Sequence, residues 1–250
     1  MTNRDDPTGE DEGQPLVEHL IELRSRLLKS IGVVGVIFVP MFIFANEIYG
    51  FVASPLRAFL PEGSSMIATE VASPFLTPFK LSLVLAIFAA IPFILHQVWA
   101  FVAPGLYANE KRVAGPLLIS SIFLFYLGMA FAYFVVFPLI FAFFTGIAPE
   151  GVTIMTDINR YLDFVLKLFF AFGIAFEIPI ATLLLVWTGA TTTEALKAKR
   201  SFVIVGCFFI GMLLTPPDVV SQILLAIPMW LLFEIGIFFG DFIAPAEESE

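Results

Sequence analysis

LLISSIFLFYLGMAFAYFVVFPLIF, residues 117 to 141, runs without a single Asp, Glu, Lys or Arg. At 1.5 Å per residue a helix of that length covers about 37 Å, more than the roughly 30 Å of hydrocarbon in a bilayer. The stretch therefore reads as a membrane-spanning helix, and it sets the class of the chain. Working outward, similar windows lie near 27–45, 81–103, 161–188, 201–214 and 220–239. Turn-rich stretches such as Gly146 to Asn159 and Thr215-Pro216-Pro217-Asp218 separate them. Composition agrees: 59% of the 250 residues are hydrophobic and 14% charged, with a mean hydropathy of +0.94. A soluble domain does not carry so little charge.

The expected architecture is an all-α membrane protein of six transmembrane helices. Basic residues orient it. Arg4, Arg24, Arg26, Lys29, Lys111, Arg112, Lys197, Lys199 and Arg200 fall on one side, against Arg57, Lys80, Arg160 and Lys167 on the other. The richer side is expected to be cytoplasmic, and an even number of spans puts both termini there. Pro40, Pro92, Pro179 and Pro228 lie inside predicted spans. Each removes a backbone hydrogen bond and bends its helix, so the bundle should be curved and concave. Ser201 to Leu214 would make a helix of only about 21 Å. The charge-free stretch of the sixth span, between Gln222 and Glu234, is short as well.

The net charge of −9 belongs to the ends of the chain. Residues 1–15 and 241–250 each sum to about −4 and lack an apolar face, so they are expected to be disordered tails flanking a membrane domain at 16–240. The acidic start has no basic n-region, so no cleaved secretory signal is expected. Nothing in this charge pattern suits nucleic acid. Cys207 is the only cysteine, which rules out an intramolecular disulfide or a thiolate cluster. There is no G-x-x-x-x-G-K-[ST] loop, no dinucleotide fingerprint and no H-E-x-x-H. No enzyme activity, cofactor or metal site is expected, and any driving energy must come from a source other than nucleotide.

Several polar residues stand out. Glu177 falls near the middle of the fourth span, beside Pro179. A charge there costs roughly 3 kcal/mol, so it should face a cavity or a partner. Leu16 to Lys29 reads as an amphipathic helix lying at the interface, with Leu16, Leu20, Leu23 and Leu27 on one face. On another face Glu22 precedes Arg26 by four residues, a spacing at which the two can simply pair. Glu110 sits in the loop Tyr107 to Arg112, either as a solvated charge or as a carboxylate offered to a cation. Gly236 and Gly240 form one G-x-x-x-G, flanked by Phe238 and Phe239, a weak packing signal by itself. Broken helices and a midmembrane carboxyl also suit a proton-coupled transporter of a small solute. Against that alternative, no motif recurs between the two halves.

At Glu18-His19-Leu20-Ile21-Glu22-Leu23-Arg24, at SMIATEVASPFLTPFK from Ser65, at HQVWAFVAPGLY from His96 and at GMLLTPPDVVSQ from Gly211, the chain resembles the TatC family. Members are the multispanning receptor subunits of the twin-arginine protein translocase. The resemblance covers about residues 14 to 240. It implies export of folded proteins across the inner membrane, driven by the proton-motive force. The implied partners are twin-arginine signal peptides, small single-span TatA/TatB-type subunits, further copies of the chain in a receptor complex, and the lipid bilayer. It assigns signal-peptide binding to Glu22 and Glu110 with Arg24 and Phe101 nearby, and partner-helix docking to Met212, Leu213, Thr215, Asp218 and Gln222. A structured outer cap would contain Pro55 and Phe75, and Glu177 would face the concave cavity.

Overall fold

The computed structural model describes residues 13–54, 66–102, 111–147, 155–214 and 219–243. Regular structure among them is helical, apart from one isolated bridge between Ile67 and Asp157. The first helix, α1, runs from Gly13 to Ile43. No Pro interrupts it before Pro40, so the expected interfacial helix and the first span form one rod. A short α2, Ala45–Val52, follows.

The window expected at 81–103 is two helices. Helices α3 (Ser73–Ala89) and α4 (Ile91–Val102) meet at a 50° bend. Pro92 has no N–H to give the Phe88 carbonyl, four residues back. A backbone N–H of the helix cap reaches that carbonyl instead, and Tyr126 adds a second donor, its hydroxyl lying 3.0 Å from the Phe88 oxygen.

Helix α5, Lys111–Phe131, passes through a π turn at Ala132–Val136 into α6, Phe137–Gly146. The turn lies just ahead of Pro138, whose ring would clash with an α-helical carbonyl four residues earlier. The fourth window is likewise divided, into α7 (Ile158–Ala175) and α8 (Ile178–Trp187), with Phe176 and Glu177 at the break beside Pro179.

After the short α9, Thr193–Ala198, come α10, Arg200–Leu214, and α11, Val219–Ile243. Among the described residues, four helical stretches are long and apolar enough to cross a membrane, five if α3 and α4 together make one span, and α10 falls short at 15 residues. The sixth predicted helix is not short. Although Gln222 and Glu234 bound a brief charge-free stretch, α11 has 25 residues and extends about 37 Å. It also absorbs Asp241, expected in the tail, whose carboxylate takes the Lys197 ammonium at 2.9 Å.

Helix α7 is central, packing on α3, α5, α10 and α11. Phe88, Phe125, Phe137, Phe169 and Phe172 are buried around it. Neighbouring rings lie 5.2 to 6.1 Å apart, as between Phe137 and Phe169 or Phe88 and Phe125, the range of favourable aromatic pairs. On the other side, α8 lies against α11. A Cβ on Gly236 would stand 2.9 Å from Thr182 Cβ, and one on Gly240 3.1 Å from Thr193 Cγ2. The G-x-x-x-G is thus the surface on which α8 and α9 pack.

Candidate functional site

One end of the bundle gathers α1 and α4 around a carboxylate. Arg26 donates to Glu22 Oε1 from Nε at 2.9 Å and from Nη2 at 2.5 Å. The four-residue pairing legible in the sequence is therefore present. It is more than a local pair, because the same guanidinium reaches Gln97 Oε1 at 3.2 Å and the Ala100 carbonyl at 3.1 Å. Arg26 rivets α1 to α4. Both short contacts fall on Oε1, so Glu22 Oε2 has no partner among the described residues. The Glu22 side chain is 37% exposed.

His19 stacks on Phe101 with ring centroids 4.0 Å apart, which fixes Phe101 beside this carboxylate. Arg24 points outward, exposed. Below the pair, Leu23, Leu27, Ile31, Ile94, Val98 and Phe101 help to line an apolar cavity of about 350 Å³. Arg26 and Gln97 also line it, so the guanidinium that holds Glu22 borders an otherwise apolar cavity. Glu110 lies outside the described residues. The sequence reading missed Gln97 and the role of His19, since contacts between residues 71 positions apart leave no local signature.

Glu177 occupies the break between α7 and α8. Its Oε1 is buried without a partner among the described residues, while the Ser121 hydroxyl bonds the carboxyl. Near the ends of α10 and α11, Gln222 Nε2 donates to the Phe208 carbonyl at 2.8 Å. Met212 and Leu213 stand 48% and 62% exposed, so they offer an apolar face beside a polar anchor. Thr215 and Asp218 lie outside the described residues, as does Pro55. Phe75 is 64% exposed and edges against Phe42 at 6.4 Å.

At the opposite end from Glu22, Asp157 caps α7. Its Oδ1 accepts from the backbone N–H groups of Asn159 and Arg160, each at 3.0 Å. Oδ2 accepts from the Thr69 N–H at 3.0 Å and its hydroxyl at 2.6 Å. These donors, led by the Thr69 hydroxyl, lower its pKa to about 2. Backbone bonds from Ile67 to Thr156 and from Ile158 to Ile67 complete the clasp, at 3.0 and 2.9 Å. Among the described residues no three His, Cys, Asp or Glu side chains group as metal ligands.

Residues 18–228 match the family model of the Sec-independent protein translocase protein TatC. The chain belongs to the TatC family. A relative from Azotobacter chroococcum mcd 1, a Sec-independent protein translocase protein TatC, is 62% identical over 99% of this chain and 96% of its own length. The TatC of Escherichia coli strain K12 is 59% identical over 93% of this chain and 90% of its own. A crystal structure described as the twin arginine translocase receptor TatC superposes with a TM-score of 0.82 at 41% identity, covering 90% of this chain and 99% of that one. TatC proteins are translocase components and not enzymes, and this one is a multi-pass membrane protein. The matched TatC segment contains Glu22, the Arg26 rivet, the Asp157 clasp and Glu177.

Proposed function

We propose that this TatC-family chain is the signal-peptide receptor and assembly platform of a twin-arginine translocase in the inner membrane, exporting folded proteins with energy from the proton-motive force. The observation that carries the reading is Glu22. Its carboxylate already accepts a guanidinium from the chain itself, and its second oxygen, at a partly exposed rim, has no partner among the described residues. Charge-assisted hydrogen bonds from guanidinium to carboxylate are about twice as strong as neutral ones, and a planar fork presents two donors where lysine presents a point charge. A peptide with consecutive arginines would engage Glu22 Oε2 and Glu110, with Phe101 and Arg24 at the margins and the apolar floor receiving residues beyond the arginines.

The topology that goes with this reading has six spans, α3 with α4 counted as one and α10 as a short one. Both termini are cytoplasmic, so Glu22 faces the compartment in which cargo folds. Residues 16–240 form the membrane domain, with acidic tails at 1–15 and 241–250. The short α10 and exposed Met212 and Leu213 give single-span TatA/TatB-type partners a place to dock, with Gln222, Thr215 and Asp218 as polar anchors. Pro55 and Phe75 belong to the outer cap, and Glu177 to the concave cavity. The proton-motive role rests on family likeness alone.

The test is photocrosslinking of a twin-arginine signal peptide in membranes, comparing the parent with the Glu22→Ala, Glu110→Ala double variant. Loss of the crosslink is expected. An undiminished crosslink, or equal capture of a dilysine signal by the parent, would overturn the reading.

A further inference from the structure

A second, larger cavity of about 700 Å³ lies among α3, α7, α8, α10 and α11, away from the Glu22 rim. Its walls are apolar, with Phe170, Ile174, Ile178 and Met229 among them, and Ile174 is 61% exposed. The cavity is thus a groove open along one side. Three charged side chains line it: Lys80, Asp163 and Lys167. Lys80 forms an ion pair with Asp163. Lys167, one helical turn further on, has no hydrogen bond or ion pair among the described residues. It lies about 14 Å along α7 from Ile158 at 1.5 Å per residue, inside a stretch apolar enough to cross a membrane. An ammonium at that depth must reach back toward the interface or meet an anion. The groove as a whole carries one uncompensated positive charge.

We propose that this groove binds an anionic glycerophospholipid, its acyl chains against the apolar walls and its phosphate on Lys167 with Lys80 at the margin. Charge favours this occupant, since Lys167 is left over once Lys80 and Asp163 have paired. The groove's 700 Å³ takes part of the acyl chains, and its open side leaves the remainder in the surrounding hydrocarbon. That volume falls in the class of small-ligand sites, and basic pockets between spanning helices are suited to lipid phosphates. The inference needs only that the chain is embedded in a bilayer, so it stands apart from the signal-peptide reading.

The experiment is native mass spectrometry of the full-length protein in detergent, offered equimolar phosphatidylglycerol and phosphatidylcholine of matched chains. The parent should retain phosphatidylglycerol about five-fold over phosphatidylcholine, the preference expected of one juxtamembrane cation. Lys167→Gln should abolish that preference, and Asp163→Asn should raise it by releasing Lys80. Ala171→Trp, which fills the groove, should reduce retention of both lipids. Melting temperatures close to the parent's, with unchanged signal-peptide crosslinking, would separate these effects from misfolding and from receptor function. Equal retention of both lipids by the parent, or an unaltered preference in Lys167→Gln, would overturn the proposal. So would displacement of the lipid by glycerol 3-phosphate at equal concentration, because the chains would then contribute nothing. Release of a copurifying single-span subunit by Lys167→Gln, with lipid retention intact, would assign the groove to that subunit instead.

Discussion

Asp157 and Glu22 are carboxylates at opposite ends of one bundle, and their surroundings differ in how fully each carboxylate is occupied. Asp157 is 8% exposed, and both its oxygens are occupied, by two backbone donors of α7 and two donors of Thr69. Nothing more can bind there. Glu22 has the weaker local setting, a part-buried four-residue pair of a kind worth about 0.5 kcal/mol on a helix surface, and one of its oxygens has no partner among the described residues. On the proposed reading, saturation rather than charge or position in the chain separates the acid that holds the fold from the one offered to a signal peptide.

The sharpest break of this comparison is functional. Glu22→Gln should weaken twin-arginine peptide binding by about ten-fold or more, since a hydrogen bond to a charged group is worth about 1.5–3 kcal/mol. Asp157→Ala should leave that binding unchanged, as a peptide titration monitored by anisotropy would show. On stability the order reverses. Asp157→Ala removes a helix cap together with the clasp to Thr69 and should cost about 2 kcal/mol, read as a lower melting temperature in detergent. Glu22→Gln should cost about 0.5 kcal/mol.

A pH series refines the contrast. Asp157 has its pKa lowered from 3.8 to about 2, so its carboxylate contributes stability above pH 3.8 that is lost as pH falls through about 2. The parent should lose melting temperature across that window, and Asp157→Asn should lose less. A small effect on both readouts is expected for Gln97→Ala, which removes one 3.2 Å bond to Arg26 and should change stability by no more than about 0.5–1 kcal/mol while leaving peptide binding within two-fold.

Much of the fold could be read from the chain because hydrocarbon imposes a one-dimensional requirement, uninterrupted apolar length. Residues 117–141 satisfy it by inspection. The interruptions were only partly legible. Pro92 and Pro179 mark real breaks, whereas Pro138 was passed over although the π turn lies against it. The sixth span, placed at 220–239, reads as short because its charge-free stretch between Gln222 and Glu234 is brief. Each has an internal partner instead, the Phe208 carbonyl and Arg200 at 2.8 and 2.6 Å, so the helix continues through both. Gly236 and Gly240 looked weak for a related reason: a G-x-x-x-G gains meaning only when a neighbour such as Thr182 comes against it.

In the site, the pairing of Glu22 with Arg26 was legible as local spacing. The link onward to Gln97 and Ala100 was not, since tertiary folding alone brings α4 to α1. Asp157 went unremarked inside a turn-rich stretch, although an Asp immediately before an apolar run is a recognisable helix start.

The bend at Ala90 constrains how the rim can behave. A proline kink held only by its own backbone can swivel, because the bonds at the break all lie within one helix pair. Here Tyr126 clasps the Phe88 oxygen from a neighbouring helix, turning the swivel into a braced elbow. The forearm beyond it bears Gln97 and Phe101, so a load placed on the rim is passed to α5 and on to the aromatic centre instead of being absorbed at the joint.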